Sequence, residues 1–508
     1  MVTTIGEILP DAARRFGDKV ALVVGAESFS FSELELLSNR VANGLVSVGV
    51  EPGDRVTLYG PNCWQWLVAY YAIAKTGAVV NPISSMFTVE EVRYAVTDSE
   101  ARVVVASSDK GIPVLGLVGI AGLVSVVLWG GDAPGAASFQ SWVAEASSDF
   151  VPAQRGRGDL AAICYTSGTT GHPKGAMQSH RAVIGAAVGT VVMGARGPED
   201  RVINSLPLAH VYGSCVFNAA MMAGSTLIMV PRFDAKEVMA AIAEHRATLM
   251  DGVPTAYYYL LADPEFDDAD LSSLTRCWVG GQTLPEAKAR EFTQRTGCPI
   301  HEVWGMTELA GAASANPVVG PNKPGTIGIA YPGNMMRVVD IDDPSVVLGP
   351  GERGELMFRG PLVMDGYFGN DEATQASIEP NGWLHSGDIA TMDEDGYFTI
   401  VDRKTDMILT AGYNVYPAEL ERVLCMHPAV SLAAVTGVPD EVKGELAKAY
   451  VVVKPNCTVT AEELITHCRQ HLAAYKVPRA VQFVDEVPIT ASGKIMRRLL
   501  TNYDDGTR

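Results

Sequence analysis

A stretch of eleven residues, 165–175, combines the residue types that hold an anion. It reads Tyr-Thr-Ser-Gly-Thr-Thr-Gly-His-Pro-Lys-Gly and follows an apolar run at 160–164 that predicts a buried strand. Glycines let successive backbone N–H groups turn toward one point, hydroxyls add donors, and Lys174 adds a mobile positive charge. The sequence therefore predicts a polyphosphate loop rather than a flexible linker. It is not a Walker loop, because Lys174 lies between Pro173 and Gly175, where that motif needs Gly-Lys-Ser/Thr.

A second motif, Trp-Gly-Met-Thr-Glu at 304–308, could complete a nucleotide site. The aromatic face of Trp304 can stack on a purine, Thr307 can donate to a phosphate, and Glu308 offers a hard oxygen ligand to Mg²⁺. Taken singly, these residues would also suit a purely structural role, with a buried tryptophan beside the start of a helix. The three together, in this order, favour the nucleotide interpretation.

Two further stretches carry groups that can bind hydroxyls or phosphate. Asp388 ends the string Gly-Trp-Leu-His-Ser-Gly-Asp, and Asp402 is followed directly by Arg403. A carboxylate can accept from two vicinal hydroxyls, and an arginine donates without losing its charge. Taken alone, however, such residues usually form surface ion pairs.

Three more motifs are weak when taken singly. His210 ends Ser-Leu-Pro-Leu-Ala-His, and a lone histidine is more often a satisfied loop or helix-cap residue. Val-Gly-Gly-Gln-Thr-Leu at 279–284 predicts a strand that runs into a tight turn. Lys494 ends Pro-Ile-Thr-Ala-Ser-Gly-Lys on a glycine-bearing loop, but an exposed lysine is usually only solvated.

Together these motifs resemble the adenylate-forming superfamily, which comprises acyl-CoA synthetases, firefly luciferase and the adenylation domains of peptide synthetases. The resemblance covers essentially the whole chain up to Lys494 and favours the acyl-CoA synthetase branch. It implies an ATP-dependent ligase in which a carboxylate attacks the α-phosphate of ATP, giving an acyl-adenylate and pyrophosphate. CoA then takes the acyl group and AMP leaves. ATP, Mg²⁺ and the co-substrate CoA are the implied cofactors.

The resemblance also implies a role for each matching residue. The catalytic residues are Lys494, His210, Thr307 and Glu308, of which Glu308 is also the metal ligand. ATP or AMP would be bound by Thr166, Ser167, Gly168, Thr169, Thr170, Gly171, Lys174, Gly280, Gly281, Gln282, Trp304, Gly305, Asp388 and Arg403. The acid and CoA would contact Val211, Tyr212, Gly213, Ala310, Gly311, Ala411 and Gly412, and Thr405 would be the hinge. Three residues depart from the family pattern: Trp304 replaces the commoner Tyr, Thr405 a frequent Asp or Lys, and Ala411 the first glycine of a common Gly-Gly pair.

The nature of the acid is indicated only by small side chains after Glu308. Ala310, Gly311, Ala312 and Ala313 leave room for a chain or ring, and few charged residues lie near the candidate pocket. We therefore expect an apolar monocarboxylate, with a medium- or long-chain fatty acid ahead of an aryl or cinnamate-like acid. An adenylating enzyme that passes its acyl group to a carrier protein, or to oxygen, would share nearly all of these motifs. A non-catalytic nucleotide-binding protein would not need Lys494 or Glu308.

Composition limits the partners and the compartment. The 508 residues include 39 Lys plus Arg against 58 Asp plus Glu, a net charge of −19 that disfavours nucleic acid or an anionic membrane as a partner. The eight cysteines contain no C-x-x-C pair, and residues 1–19 hold no apolar signal core, so we expect a reduced, cytoplasmic protein. The partners expected are the acid, ATP and CoA, and the resemblance allows a homodimer.

One segment, 111–129, is nearly free of charge and long enough to cross a bilayer. Four glycines and Pro113 interrupt it, and its last residues are β-branched. We therefore predict a short buried helix followed by a central strand instead of a membrane span.

The remaining sequence supplies the elements that position these motifs. Strand and helix patterns alternate from about residue 32, so the fold class is α/β with largely parallel sheets. The predicted elements include a helix after a Ser32–Glu35 capping box, a strand at 55–59 and helices at 64–75 and 235–245. Short apolar runs between turn residues at about 325–402 predict an antiparallel or β-barrel-like subdomain. The predicted domains are an N-terminal adenylation domain at 1–402, a hinge at 403–406 and a small, mobile α+β domain at 407–508.

Overall fold

The structure, a computed structural model, describes residues 2–166, 173–404, 406–410, 413–440, 443–490 and 495–504. The strands of this part of the chain are β1 (Val20–Val24), β2 (Glu27–Ser30), β3 (Arg55–Tyr59), β4 (Val79–Ile83), β5 (Ala101–Ser107), β6 (Ser125–Trp129), β7 (Ala137–Ser138), β8 (Leu160–Tyr165), β9 (Gly175–Ser179), β10 (Arg201–Asn204), β11 (Thr226–Met229), β12 (Leu249–Gly252), β13 (Arg276–Gly280), β14 (Ile300–Met306), β15 (Gly311–Ala315), β16 (Ile329–Ala330), β17 (Met335–Val339), β18 (Gly354–Arg359), β19 (Gly366–Tyr367), β20 (Leu384–Met392), β21 (Phe398–Arg403), β22 (Ile408–Thr410), β23 (Tyr413–Val415), β24 (Val430–Asp440), β25 (Gly444–Val453) and β26 (Ala480–Phe483).

Helices connect most of these strands. The α-helices are α1 (Ile8–Phe16), α2 (Phe31–Ser47), α3 (Trp64–Lys75), α4 (Val89–Asp98), α5 (Ser108–Gly111), α6 (Phe139–Glu145), α7 (His180–Met193), α8 (Val211–Ala223), α9 (Ala235–His245), α10 (Pro254–Ala262), α11 (Glu286–Thr296), α12 (Asp371–Ser377), α13 (Pro417–Cys425) and α14 (Ala461–His471). Short 3-10 turns occur at Ile5–Glu7, Ile112–Leu117, Thr307–Leu309 and Arg497–Tyr503.

Two large sheets form the body of the protein. The first has the strand order β16-β15-β14-β13-β12-β10-β11-β1-β2, and the second β19-β9-β8-β4-β3-β5-β6-β7. The inner strands of both sheets are parallel, and antiparallel pairs occur at the edges. Helices and apolar strands bury one continuous core across both sheets, as expected when βαβ units cover the faces of a parallel sheet. The predicted parallel α/β class is confirmed.

The two smaller sheets are antiparallel in most of their pairs. Strands β17, β18, β20 and β21 form an open sheet in that order, and among the described residues the first and last strands are not paired, so this region is not a closed barrel. The last sheet, β23-β22-β25-β24 with β26 beside β25, packs with α13 and α14 around an apolar core of its own. This smaller C-terminal α+β unit was predicted, while the boundaries at 402 and 407 remain a prediction.

Several elements match their predicted bounds and two do not. The strand Arg55–Tyr59 and the helices Trp64–Lys75 and Ala235–His245 are confirmed to the residue. The predicted Ser32–Glu35 capping box of α2 is wrong by two residues. Ser30 accepts from Glu33 N at 3.1 Å, and the Glu33 carboxylate accepts from Ser30 N at 2.7 Å. The pairing of β2 with β1 extends to Ser30, and the helix begins at the next residue.

The apolar segment at 111–129 also differs from its prediction. A short helix and a 3-10 turn precede β6, which lies between β5 and the two-residue β7 near the sheet edge rather than at its centre. Ile112, Val118 and Val124 are exposed, so this stretch is not a buried helix. None of the helices in the described residues is long and apolar enough to cross a bilayer.

The capping correction can be tested with two serines of the same helix. We expect Ser30→Ala to lower the free energy of unfolding by about 1 kcal/mol, because a helix N-cap loses its hydroxyl. Ser32→Ala, which removes the hydroxyl from the second residue of α2, should leave stability unchanged. Chemical denaturation of both variants provides the measurement, and equal losses would contradict the observed cap.

Candidate nucleotide and acyl site

The predicted site residues gather where several strands of the large sheets end. Strand β8 ends at Tyr165, β13 at Gly280 and β14 at Met306, and each of these ends lies within one of the predicted motifs. Polar contacts tie the two sheets together here, because the Gln178 side chain of β9 donates to the Thr307 carbonyl at 2.8 Å. Nine predicted residues lie outside the described residues: Ser167, Gly168, Thr169, Thr170, Gly171, Thr405, Ala411, Gly412 and Lys494.

The two ends of the predicted anion loop lie side by side. Strands β8 and β9 form an antiparallel pair in which Tyr165 faces Gly175, and Thr166 N donates to the Lys174 carbonyl at 3.0 Å. The chain therefore leaves and re-enters the sheet at one point, as a loop that surrounds an anion requires. The ammonium of Lys174 lies 4.2 Å from the centre of the Tyr367 ring.

Glu308 follows β14 in a 3-10 turn and is only 9% exposed. The Tyr367 hydroxyl donates to its Oε1 at 2.7 Å, while Oε2 has no hydrogen-bond partner within the described part of the chain. The described residues contain no cluster of three or more His, Cys, Asp or Glu that could hold a metal alone. A single carboxylate fits Mg²⁺, which keeps several waters and takes substrate phosphate oxygens as further ligands.

Asp388 is held from both sides. Trp304 Nε1 donates to its Oδ2 at 2.7 Å, and Arg403 Nε forms an ion pair with its Oδ1 at 2.7 Å. Asp388 and Arg403 are paired residues on β20 and β21, and Trp304 arrives from the end of β14. The carboxylate is buried, whereas the Arg403 side chain is 46% exposed. Trp304, unlike the commoner Tyr, thus supplies an N–H donor that fixes this carboxylate and leaves lone pairs for a ligand.

Arg403 and Asp402 face different partners, because successive strand residues point to opposite sides. The charge of Asp388 raises the pKa of Arg403. Asp402 instead accepts from Ala418 N at 2.7 Å and lies 3.5 Å from the Arg497 guanidinium. Asp402 therefore does not join Asp388 at a ribose site, and it binds the start of α13.

The Gly280–Gln282 turn is closely packed. A side chain at Gly280 would lie 2.7 Å from Val303 Cγ1 and 3.2 Å from the Tyr212 ring. Gly281 has a φ of +90°, which favours glycine. The Gln282 side chain accepts a hydrogen bond from Ile495 N at 3.0 Å. The C-terminal unit is thus docked on this turn through the residue that directly follows Lys494 in the sequence.

His210 is the N-cap of α8. Its Nδ1 accepts from Tyr212 N at 3.2 Å, so the neutral ring carries its hydrogen on Nε2. Gly213 is required at the next turn, because a side chain there would lie 2.2 Å from the Pro207 carbonyl oxygen. The helix-cap interpretation is confirmed, and the gating role of His210 remains a prediction.

Helix α8 also fits closely against the small residues after Glu308. Cys215 Sγ donates to the Ala310 carbonyl and accepts from Ala312 N, both at 3.3 Å. A side chain at Gly311 would lie 2.4 Å from Cys215 Sγ, and one at Gly305 would lie 1.7 Å from the Gly311 carbonyl oxygen. Glycine at position 311 therefore makes room for α8 and does not open a space for the acid. That Ala310 and Val211 line the acid pocket remains a prediction.

Two residues at this site were not identified from the sequence. Tyr367 contacts both Lys174 and Glu308, and Gln178 joins β9 to Thr307. Tyr367 lies in a Gly-Tyr pair between turn residues, where no spacing pattern indicates a site. Its partners are 193 and 59 positions away along the chain, so only the folded chain shows the contacts.

The fold and these motifs define an adenylate-forming enzyme. Residues 9–368 match the AMP-binding enzyme family and residues 419–494 the AMP-binding enzyme C-terminal domain. The chain belongs to this family, in its acyl-CoA synthetase branch.

Relatives of similar length support that assignment. The chain is 33% identical to a long-chain-fatty-acid–CoA ligase of Bacillus subtilis, covering 98% of this chain and 94% of that protein. It is 37% identical to a feruloyl-CoA synthase of an Amycolatopsis species, covering 96% of each. The crystal structure of ATP-bound MatB from Rhodopseudomonas palustris superposes with a TM-score of 0.91 at 32% identity, covering 100% of both chains.

The contact between Trp304 and Asp388 gives a prediction about nucleotide binding. Trp304→Phe keeps an aromatic face but leaves a buried carboxylate oxygen without its donor, so we expect AMP and ATP to bind about tenfold more weakly. Isothermal titration calorimetry measures both affinities.

Trp278→Phe is the matched control. Trp278 is a buried indole whose Nε1 has no hydrogen-bond partner among the described residues. This variant should bind AMP as the wild type does. Wild-type affinity in Trp304→Phe would show that Asp388 does not depend on the indole.

Proposed function

We propose that the protein is an AMP-forming acyl-CoA ligase that activates an apolar carboxylic acid as its acyl-adenylate and then transfers the acyl group to CoA. The hydrogen bond from Ile495 N to the Gln282 side chain is the observation that carries this proposal. It brings the segment after the proposed adenylation lysine, Lys494, against the turn proposed to lie along the adenine. Tyr367 contacts both Lys174 and Glu308, and Trp304, four residues before Glu308, binds Asp388. The groups proposed for the triphosphate, Mg²⁺ and ribose are therefore linked to one another.

In the first step an oxygen of the substrate carboxylate attacks the α-phosphorus of ATP, and pyrophosphate leaves. The enzyme forms no covalent intermediate, so its residues position the reactants and offset charge. Thr166 and Lys174 would bind the β- and γ-phosphates, and Lys494 the carboxylate and the α-phosphate oxygens. Mg²⁺ bound at Glu308 would supply positive charge to the phosphates. Asp388 and Arg403 would hold the ribose, and Gly280 to Gln282 the adenine.

In the second step the CoA sulfur attacks the adenylate carbonyl carbon, and AMP leaves with the bonding electrons. We propose that the unit at 407–508 first rotates about Thr405, within the hinge at 403–406, relative to the domain at 1–402. The rotation would withdraw Lys494 and bring Ala411 and Gly412 to the thiol channel. Closure and opening of this kind can limit turnover.

A medium- or long-chain fatty acid is our first candidate for the acid. The long-chain-fatty-acid–CoA ligases among the relatives support it. So do two apolar residues at helix α8: Val211, which precedes Tyr212, and Ala310, whose carbonyl accepts from Cys215. His210, at the start of α8, would gate access to the carboxylate.

An aryl or cinnamate-like acid is the second candidate, and one observation favours it. The Tyr212 ring extends from the Gly280 turn to Asp251, where its hydroxyl lies 3.4 Å from Oδ1. Burial raises the pKa of Tyr212, so it stays protonated. Asp251 pairs with Arg196 at 2.7 Å, yet Arg196 Nε, Arg196 Nη1 and Asp251 Oδ2 are buried without partners among the described residues. A ring hydroxyl would supply the missing partner, whereas an alkyl chain would not.

AMP release from ATP with a panel of acids tests the proposed function. The panel contains saturated fatty acids of increasing length, cinnamate and 4-hydroxycinnamate, each with and without CoA. We expect AMP only when an apolar acid and CoA are both present. A preference of tenfold or more for 4-hydroxycinnamate over cinnamate would select the second candidate, and fatty acids as the best substrates would select the first. Pyrophosphate release that CoA does not change would point to a carrier protein as acceptor.

The division of labour between the two steps gives a further prediction. Lys494→Ala should abolish adenylate formation, because the charge on the α-phosphate loses its counter-ion, while thioester formation from a supplied acyl-adenylate continues. Single-turnover assays measure the two steps separately. Lys236→Ala, which removes an exposed lysine paired with Glu265, is the control and should leave both steps unchanged. Loss of both steps in Lys494→Ala would contradict the two-conformation scheme.

A further inference from the structure

Tyr367 contacts two of the proposed ligand-binding groups at once. Its hydroxyl donates to Glu308 Oε1 at 2.7 Å, and its ring face lies 4.2 Å from the Lys174 ammonium. The residue is 4% exposed, so both contacts are made in a largely water-free setting. A hydrogen bond to a charged group and a cation over a ring are each stronger there than at the surface.

Backbone pairing fixes Tyr367 between these two groups. Strand β19 pairs with β9, placing Tyr367 opposite Ala176, and Phe368 N donates to the Gly175 carbonyl at 2.8 Å, directly after Lys174. On the other side Met364 N donates to the Glu308 carbonyl at 2.8 Å. One short segment is therefore hydrogen-bonded both to the end of the anion loop and to the turn that bears the carboxylate.

The hydroxyl has a fixed role as donor. The phenol hydroxyl carries the only hydrogen between the two oxygens when the partner is a carboxylate, so the 2.7 Å contact makes Tyr367 the donor. A permanent donor on Oε1 fixes the rotation of the carboxylate. Oε2, which has no partner within the described residues, is then the oxygen available to an external ligand.

We propose that Tyr367 is a positioning residue that couples the phosphate-binding lysine to the metal-binding carboxylate. Its hydroxyl orients Glu308 for Mg²⁺, and its ring holds Lys174 toward the phosphates. The inference rests on the roles proposed above for Lys174 and Glu308. It predicts that the two functions of Tyr367 can be separated, because Phe keeps the ring and loses only the hydroxyl.

The test measures equilibrium binding of ATP by calorimetry, once with Mg²⁺ and once with EDTA, together with the Mg²⁺ concentration for half-maximal AMP release. In Tyr367→Phe we expect ATP to bind as in the wild type when EDTA is present. The Mg²⁺ requirement should rise about tenfold, since the carboxylate loses a charge-assisted hydrogen bond. Tyr367→Leu, which also loses the ring, should weaken ATP binding in EDTA by about threefold.

Tyr397→Phe is a closely matched control. Tyr397 is 6% exposed, its hydroxyl donates to the Pro321 carbonyl at 2.8 Å, and the Lys323 ammonium lies 4.4 Å from its ring. Like Tyr367, it therefore has a buried hydroxyl that donates a hydrogen bond and a lysine ammonium over its ring, but it lies away from the site. We expect the thermal stability of Tyr397→Phe to fall as much as that of Tyr367→Phe, while its Mg²⁺ requirement stays at the wild-type value.

A double variant distinguishes failure of this inference from failure of the proposed function. If Tyr367 acts through Glu308, adding Tyr367→Phe to Glu308→Gln should not change the Mg²⁺ requirement further. An unchanged Mg²⁺ requirement in Tyr367→Phe, alongside a raised one in Glu308→Gln, would overturn the inference and leave the function intact. An unchanged requirement in Glu308→Gln itself would overturn the metal site on which both depend.

Discussion

The site depends on two buried carboxylates, each of which is held by a ring donor from another segment. Glu308 and Asp388 are 9% and 3% exposed in a protein of net charge −19, where an unpaired buried anion would be strongly disfavoured. Each is stabilised by a ring donor from a distant segment, Tyr367 for Glu308 and Trp304 for Asp388. Each neutral donor satisfies one lone pair. Asp388 is also paired with Arg403, whereas Glu308 Oε2 has no hydrogen-bond partner among the described residues and remains available to a cation.

The sheets bring these donors and carboxylates together. Trp304 and Glu308 lie on either side of the point where β14 ends, Asp388 comes from the open antiparallel sheet, and Tyr367 comes from an edge strand of the other large sheet. Three sheets therefore meet at one place, and each contributes one part of the site. A shift of any sheet would separate a carboxylate from its donor. Close backbone contacts at glycine residues, such as Gly305 against Gly311, help to keep the segments of the site in place.

Local patterns predicted the elements of this fold, and long-range contacts could not be predicted from them. Strand β3 and helices α3 and α9 have clear periodicity and turn residues at their ends, so their bounds were found. Ser30 and Ser32 each stand three residues before a glutamate, and only the pairing of β2 decides which one caps α2. The motif residues themselves were predicted through family resemblance. Trp304, where the family commonly has Tyr, donates to Asp388, 84 residues away, and only the folded chain shows this contact.

Contacts at the junction between the two units indicate what a rotation at Thr405 must break. Arg497 binds Glu421 in the C-terminal unit and Asp406, the last residue of the predicted hinge, both at 2.7 Å, whereas Asp402 before the hinge is 3.5 Å away. Burial raises the pKa of Asp402 to about 6, against the lowering effect of Arg497. Rotation would remove Arg497 and the Ala418 amide from Asp402 but would expose its carboxylate to water, which offsets the loss. Some of the other contacts between the units are polar, such as Lys454 with Glu291 and Ile495 with Gln282. Others are apolar, because Tyr416 packs with Ile389 and Val401, and Leu432 of β24 is buried in the core of the large sheets. A second position of the C-terminal unit must therefore cover these apolar side chains again, because leaving them exposed to water would be unfavourable.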